Sequence, residues 1–212
     1  MPNINHIKGF LSEEERALVL GWASSIEQEP AAPNGHLSEI SSYMKGTSFI
    51  FDLSCTEKSG YVAKYQSVSR VSEKRLPDFI YSIVERISKA VSLDPESVFL
   101  QVIDMSAGGV IKPHYDATVD GHINYKCNVS VLSEDYEIYV GDESIGISES
   151  DLYCFESSLY RHWTGEFSSR RVLLSFGFIV PYSAMGRTED EPLVRMGKRI
   201  QKYFQESEKQ KK

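Results

Sequence analysis

The 212-residue sequence predicts a mainly β domain with flanking helices, and three observations carry that prediction. Between Val98 and Pro181 the chain breaks into short β-prone segments separated by turn residues, the pattern of an all-β core of about eight strands. Two segments ahead of that core, and one after it, place apolar side chains at helical spacing. The composition, 41% hydrophobic and 25% charged, is that of a globular domain able to bury one large core.

The first helix is marked by Ser12-Glu13-Glu14-Glu15. The Ser12 hydroxyl can accept from the Glu15 amide while the Glu15 carboxylate reaches back to the Ser12 N–H, a capping box that starts a helix over about 13–26. Leu18, Trp22 and Ile26 then share one face, and the acidic first turn suits the helix dipole. Glu29-Pro-Ala-Ala-Pro-Asn-Gly reads as a loop. Residues 41–75 mix β-prone runs, Ser48-Phe49-Ile50-Phe51 and Tyr61-Val62, with Ser, Gly, Lys and Arg, and are expected to form strands joined by a mobile connection that covers the substrate. Lys58, Lys64, Arg70, Lys74 and Arg75, interleaved with Tyr61 and Tyr65, read as a solvated face rather than a nucleic-acid strip. Pro77 suits the first turn of a second helix, over about 77–92, with Phe79, Ile80, Ile83, Val84, Ile87 and Val91 as its apolar stripe.

The eight β-prone segments lie near 98–105, 110–116, 124–132, 136–141, 144–147, 151–155, 159–163 and 171–180. A helical tail over 187–212 carries Leu193, Met196, Ile200 and Phe204 as its stripe. The whole chain, 1–212, is read as one domain, with a core barrel at about 98–181 and helices and lid in 1–97.

Several functions are disfavoured before any site is considered. The longest apolar run, Val172 to Val180, is interrupted by Ser175 and Gly177 and falls far short of the ~20 residues a spanning helix needs, so no membrane segment is expected. The mixed, polar opening carries no secretory pattern, and the chain is read as cytoplasmic. Cys55, Cys127 and Cys154 lack metal-ligand spacing and are expected to be reduced and buried. Net charge is −7, yet the stretch from Arg187 onward holds eight Lys/Arg against five Asp/Glu, so the body carries about −10. Such a surface repels a phosphate backbone, and nucleic acid is a disfavoured partner.

The chemistry concentrates in four side chains. In His114-Tyr115-Asp116 an imidazole and a carboxylate stand at i and i+2, which on a strand puts them on one face about 6–7 Å apart. His162 follows in a later β-prone segment that an antiparallel sheet can return to the same mouth. Two histidines and one carboxylate leave open positions on an octahedral ion, which favours iron or manganese over a closed structural zinc site. Arg171 opens the most hydrophobic run. Val172, Leu174, Phe176 and Phe178 share one face of it, and Arg171, Leu173, Ser175 and Gly177 the other. A guanidinium turned into a β core needs an anion, and a carboxylate held bidentately is the natural one. His122 falls at an Asp-Gly turn and reads as surface loop, Tyr115 as packing, and Trp163 as core or a neighbour of the ligands.

The segments Met105-Ser-Ala-Gly-Gly-Val-Ile-Lys-Pro-His-Tyr-Asp116, Ser150-Asp-Leu-Tyr-Cys-Phe155, Arg161-His162-Trp163 and Arg171-Val-Leu-Leu-Ser-Phe176 resemble the iron(II)/2-oxoglutarate-dependent dioxygenase superfamily, in its prolyl-hydroxylase-like and AlkB-like branches. The resemblance covers about residues 98–180, and Gly9-Phe-Leu-Ser-Glu-Glu-Glu looks like the helix that opens such domains. It implies a double-stranded β-helix, a jelly-roll or cupin-like barrel of two sheets, with helices 13–26 and 77–92 outside one sheet and the site at one mouth. It implies that His114, Asp116 and His162 bind Fe(II) and that Arg171 holds the distal carboxylate of 2-oxoglutarate. Gly108 matches the turn glycine before the first ligand. Met105 departs from the pattern, because many relatives place there a tyrosine that hydrogen-bonds the cosubstrate. Tyr125, Asn128 or Ser175 can substitute for it.

The implied reaction consumes 2-oxoglutarate and O2, with ascorbate as a possible reductant, and releases succinate and CO2. The carboxylate at Asp116 favours hydroxylation, or a related desaturation or demethylation, over halogenation. The expected substrate is a small metabolite, amino acid or peptide. An AlkB-like nucleic-acid demethylase is an alternative, against which the negative body and Gly177 both count. A cupin-like ligand- or metal-binding module without turnover is the other. Oligomeric state is not legible.

Overall fold

A computed structural model of the chain describes residue 2 and residues 4–25, 29–30, 44–51, 63–66, 71–74, 76–95 and 97–209. In chain order the elements are β1 (Asn5–Ile7), α1 (Glu13–Ser25), β2 (Glu29–Pro30), β3 (Met44–Phe51), β4 (Ala63–Gln66), β5 (Val71–Lys74), α2 (Asp78–Val91), β6 (Ser97–Met105), β7 (His122–Leu132), β8 (Tyr136–Val140), β9 (Glu143–Ile147), β10 (Leu152–Glu156), β11 (His162–Thr164), β12 (Arg171–Pro181) and α3 (Pro192–Lys209). Among the described residues no helix is long and apolar enough to cross a membrane.

The strands form two antiparallel sheets. The large one runs β1-β10-β7-β12-β6-β3-β4-β5, with β2 beside β3, and the small one runs β11-β8-β9. From β6 onward the chain winds back and forth between them: β6 in the large sheet, 110–116 against the small one, β7 in the large, β8 and β9 in the small, β10 in the large, β11 in the small and β12 in the large. This double winding is that of the double-stranded β-helix. The expected strand over 110–116 is the exception. It pairs with the small sheet only through isolated bridges, Val110 to Glu166 and His114 to His162, because turn residues at Gly108-Gly109 and Pro113 leave no room for a continuous ladder.

Alternation along β12 and β7 decides what lies between the sheets. Val172, Leu174, Phe176 and Phe178 join Val129, Cys127 and Cys154 in the core shared with Val19, Ala23, Ile80, Ile83, Val84 and Ile87 of α1 and α2. The helices therefore cover the outer face of the large sheet. Between the sheets, Leu173 packs with Ile138, Val140, Ile147, Tyr153 and Phe155.

The capping box forms as its sequence dictates, Ser12 N–H donating to Glu15 Oε2 at 2.9 Å and Glu15 N–H to Ser12 Oγ at 3.2 Å. The buried side of α1, however, is Val19 and Ala23, and Leu18 is exposed. Small Ala23 lets the helix approach the sheet, which turns Leu18 outward, while Trp22 packs at the edge against Phe79. Helix α2 follows Pro77 and closes at Ser92, whose left-handed φ of 55° ends it two residues before Asp94. Among the described side chains of α3, Val194 and Gly197 are buried and Met196 is exposed. A Cβ on Gly197 would come within 2.7 Å of Leu159 Cδ2, so the glycine allows the helix to lie directly on the loop before β11. Cys127 and Cys154 are free and buried. Ile26, Cys55, Lys58, Tyr61, Arg70 and Arg75, much of the expected lid and the side chains of Lys64, Tyr65, Lys74, Ile200's neighbour Phe204 and residues 210–212 lie outside the described residues.

Candidate metal centre and its anion pocket

His114 and His162 are brought face to face by backbone pairing. The His114 N–H donates to the His162 carbonyl at 3.1 Å and the His162 N–H to the His114 carbonyl at 3.0 Å, so the two rings lie 4.2 Å apart between centroids. Each ring is then oriented by its own local carbonyl: Nδ1 of His114 lies 2.7 Å from Lys112 O and Nδ1 of His162 lies 3.1 Å from Tyr160 O. A carbonyl oxygen only accepts, so each ring in its neutral form carries its proton on Nδ1 and offers the Nε2 lone pair to a metal. Phe155 packs edge-on against His162, and burial pushes the His162 pKa down to about 4, which keeps the ring neutral.

Asp116 completes the group. The ligand atoms of His114, Asp116 and His162 all lie within 4.8 Å of one another, with each Nε2 at 3.7 Å from one of the Asp116 oxygens. Because Asp116 is off any strand, its geometry comes from side bonds. Its N–H donates to Ser157 O at 3.1 Å, and its carbonyl accepts from Gln201 Nε2 at 2.9 Å. The next carbonyl, of Ala117, accepts from Asn124 Nδ2 at 3.0 Å, and Thr118 N–H donates to Gln201 Oε1 at 3.1 Å. Asn124 has space to do so because Gly177 faces it: a Cβ there would stand 2.8 Å from Asn124 Oδ1.

Lys126 is the unforeseen member. It is buried on β7, and its Nζ forms an ion pair with Asp116 Oδ2 at 2.9 Å. Burial alone would raise the Asp116 pKa, but Lys126 first, and then His162 and His114, outweigh it and hold the carboxyl well below its ordinary range. The carboxylate is thus ionised and ready to ligate.

Arg171 points between the sheets and is 1% exposed. Its Nη2 donates to the hydroxyls of Tyr136 at 2.6 Å and Tyr153 at 2.9 Å, and the guanidinium lies over the Tyr136 and Phe167 rings at 4.3 and 4.7 Å. Nε and Nη1, both buried, have no partner among the described residues. Two donors of one planar fork left bare in a low-dielectric interior call for a carboxylate. Asn128 and Ser175, opposite one another on β7 and β12, face the same interior, and Asn128 Oδ1 likewise has no partner among the described residues.

Tyr125 does not join them. It belongs to the other face of β7, among the helix-facing residues, where its hydroxyl accepts from Asn5 Nδ2 at 2.6 Å and burial drives its pKa up. Met105 is buried beside Arg171 in register, and the phenols that reach the guanidinium come instead from Tyr136 and Tyr153. Gly108 has φ of 84° and donates to Phe167 O at 2.8 Å, forming the turn ahead of His114. His122 stays outside the cluster, at the turn where Nδ1 meets Asp120 O. Trp163 faces outward and stacks on Tyr139 at 5.2 Å. Parity on β7 is the signal that finds Lys126 and removes Tyr125: Asn124, Lys126, Asn128 and Ser130 form its polar set, and Ile123, Tyr125, Cys127 and Val129 its apolar one.

No family model and no curated protein matches the sequence. Solved structures do match. A Pseudomonas putida prolyl-4-hydroxylase superposes with a TM-score of 0.53 at 12% identity, over 84% of this chain and 92% of that one. A 2OG-Fe(II) oxygenase family oxidoreductase from Burkholderia pseudomallei gives 0.56 at 12% identity, over 82% and 83%. The viral collagen prolyl hydroxylase of Paramecium Bursaria Chlorella virus-1, in its 2OG complex, gives 0.51 at 12% identity, over 84% and 95%. The chain therefore shares its fold with 2OG-Fe(II) oxygenase structures along most of its length.

Proposed function

We propose that the chain is an iron(II)- and 2-oxoglutarate-dependent dioxygenase, acting as one domain, that oxidises a C–H bond of a small metabolite, amino acid or peptide. The observation that carries this reading is the convergence of two free Nε2 atoms and one ionised carboxylate within 4.8 Å. The donor set fits ferrous iron: two imidazoles and a carboxylate, with no thiolate, leave positions open for ligands that react. His114, Asp116 and His162 would hold the metal, and Arg171 would take the distal carboxylate of 2-oxoglutarate on Nε and Nη1, with Asn128 and Ser175 beside it. Bound iron, 2-oxoglutarate and O2 together supply the oxidant for the C–H bond, with succinate and CO2 as the cosubstrate's products. The protein's part is to keep the His162 imidazole neutral and Asp116 ionised, and to line the interior with Leu173 and Phe155 so that water is excluded.

The test is succinate release by the purified chain given iron(II), ascorbate and 2-oxoglutarate under air. Succinate that disappears in His114→Ala supports the enzyme. Because two of the similar structures are prolyl hydroxylases, prolyl peptides are the first substrates to offer. No succinate with any candidate, together with no iron uptake, would make the protein a ligand-binding module instead.

A further inference from the structure

Helix α3 reaches the metal centre from the far end of the chain. The Gln201 carboxamide makes two bonds to one short piece of backbone, donating from Nε2 to Asp116 O and accepting from Thr118 N–H. One turn earlier on the same helix, Gly197 lies against Leu159 and, at 3.5 Å from an added Cβ, Ser158 O. Ser157, Ser158 and Leu159 belong to the loop that accepts the Asp116 N–H and runs into His162. A single helix thus touches both loops that carry metal ligands.

This arrangement answers a need created by the fold. A ligand on a continuous strand inherits its position from the ladder, whereas Asp116 lies beyond the last bridge of its segment, at His114. Of the five hydrogen bonds that hold residues 116–118 among the described residues, two come from Gln201. The others run from the Asp116 N–H to the Ser157 carbonyl, from the Asn124 side chain to the Ala117 carbonyl and from the Thr118 hydroxyl to the His122 carbonyl. A glutamine suits the task because it carries a donor and an acceptor on one planar group, matching a carbonyl and an N–H two residues apart.

We propose that Gln201 is a positioning residue for the metal centre, setting the direction of the Asp116 carboxylate by holding its backbone. The proposal rests on the reading of His114, Asp116 and His162 as a metal site, and the experiment separates the two. Co(II) or Mn(II) binding to the full-length chain is measured by calorimetry for the wild type, Asp116→Ala, Gln201→Ala, Gln201→Glu and, as a control on the exposed side of α3, Lys202→Ala. The wild type binds one ion and Asp116→Ala loses it. Gln201→Ala weakens binding about 10-fold, as removal of a partner behind a ligand does. Gln201→Glu can still accept from Thr118 N–H but cannot donate to Asp116 O, and falls between. Lys202→Ala binds as the wild type. Circular dichroism melts of the metal-free proteins show whether Gln201→Ala is folded, and the Glu variant serves if it is not. Wild-type affinity in both Gln201 variants would overturn the positioning role while leaving the metal site intact. A wild type that binds no ion would overturn the metal reading itself.

Discussion

Replacing Arg171 by methionine separates a role in ligand binding from a role in holding the fold. In the protein the guanidinium has two phenol partners, two aromatic faces and two bare N–H groups. Losing the two charge-assisted bonds costs about 1.5–3 kcal/mol each, and losing the ring contacts about 2 kcal/mol. Against that, the variant no longer buries a cation with two unsatisfied donors, which relieves about 1–3 kcal/mol for each. The phenols keep one another, since Tyr136 OH lies 3.2 Å from Tyr153 OH. Methionine also fills much of the same apolar space. The losses exceed the relief by about 2–3 kcal/mol, so the metal-free variant should melt less than ~10 °C below the wild type, at about 2–4 °C per kcal/mol for this size. Cosubstrate binding has no such compensation. Truncating one partner of a buried charge pair costs about 2–5 kcal/mol, and at 3–4 kcal/mol the half-saturating 2-oxoglutarate concentration rises about 10²–10³-fold. The assay is succinate release against 2-oxoglutarate concentration, paired with a thermal melt. An unchanged half-saturation would refute the anchor, and a melt lowered by ~10 °C or more would show that Arg171 is held by its tyrosines for stability instead.

Three further outcomes follow from the electrostatics. His162 titrates near 4 when folded against 6.5 when unfolded, so its neutral form contributes fully above pH 6.5, and the metal-free protein loses stability as pH falls from there to 4. That amounts to about 3 kcal/mol, readable as a falling urea midpoint, and His162→Asn should flatten the curve over this window. Lys126→Met removes the group that most strongly holds the Asp116 carboxyl down, and its titration, followed by carbon NMR on metal-free protein, should move up; no movement would leave Lys126 without influence on the site. Arg187 grips the buried Glu156 with two bonds of 2.9 and 2.7 Å. Arg187→Ala should therefore cost about 3–5 kcal/mol by calorimetry, and a double change to Glu156→Met with Arg187→Met should recover part of that loss.

What the sequence made legible was local or periodic. The capping box at Ser12, the stripe of α2 and the two faces of β12 each follow from spacing within one element, and each formed. The candidate site residues were visible because His-x-Asp and the later His and Arg carry unusual chemistry in β-prone surroundings. What was hidden depends on partners far along the chain. Tyr136, Tyr153 and Lys126 meet Arg171 and Asp116 only after two sheets are stacked, so the residue standing in for a tyrosine at Met105 could not be chosen among Tyr125, Asn128 and Ser175. The parity of β7 did contain the answer for Tyr125. The side of α1 that is buried was set by how close Ala23 lets the helix come, a tertiary fact that outweighs the Leu18 stripe. The 110–116 segment has β propensity but is bounded by glycine and proline, and it resolves into single bridges.

The bonds from Gln201 span 85 residues back to Asp116. During synthesis every other group that fixes this loop leaves the ribosome before the last helix does. The nascent chain can wind both sheets and still present its carboxylate in a loop closed on one side only. Clipping within α3 would therefore leave both sheets in place and the Asp116 loop without its two Gln201 bonds.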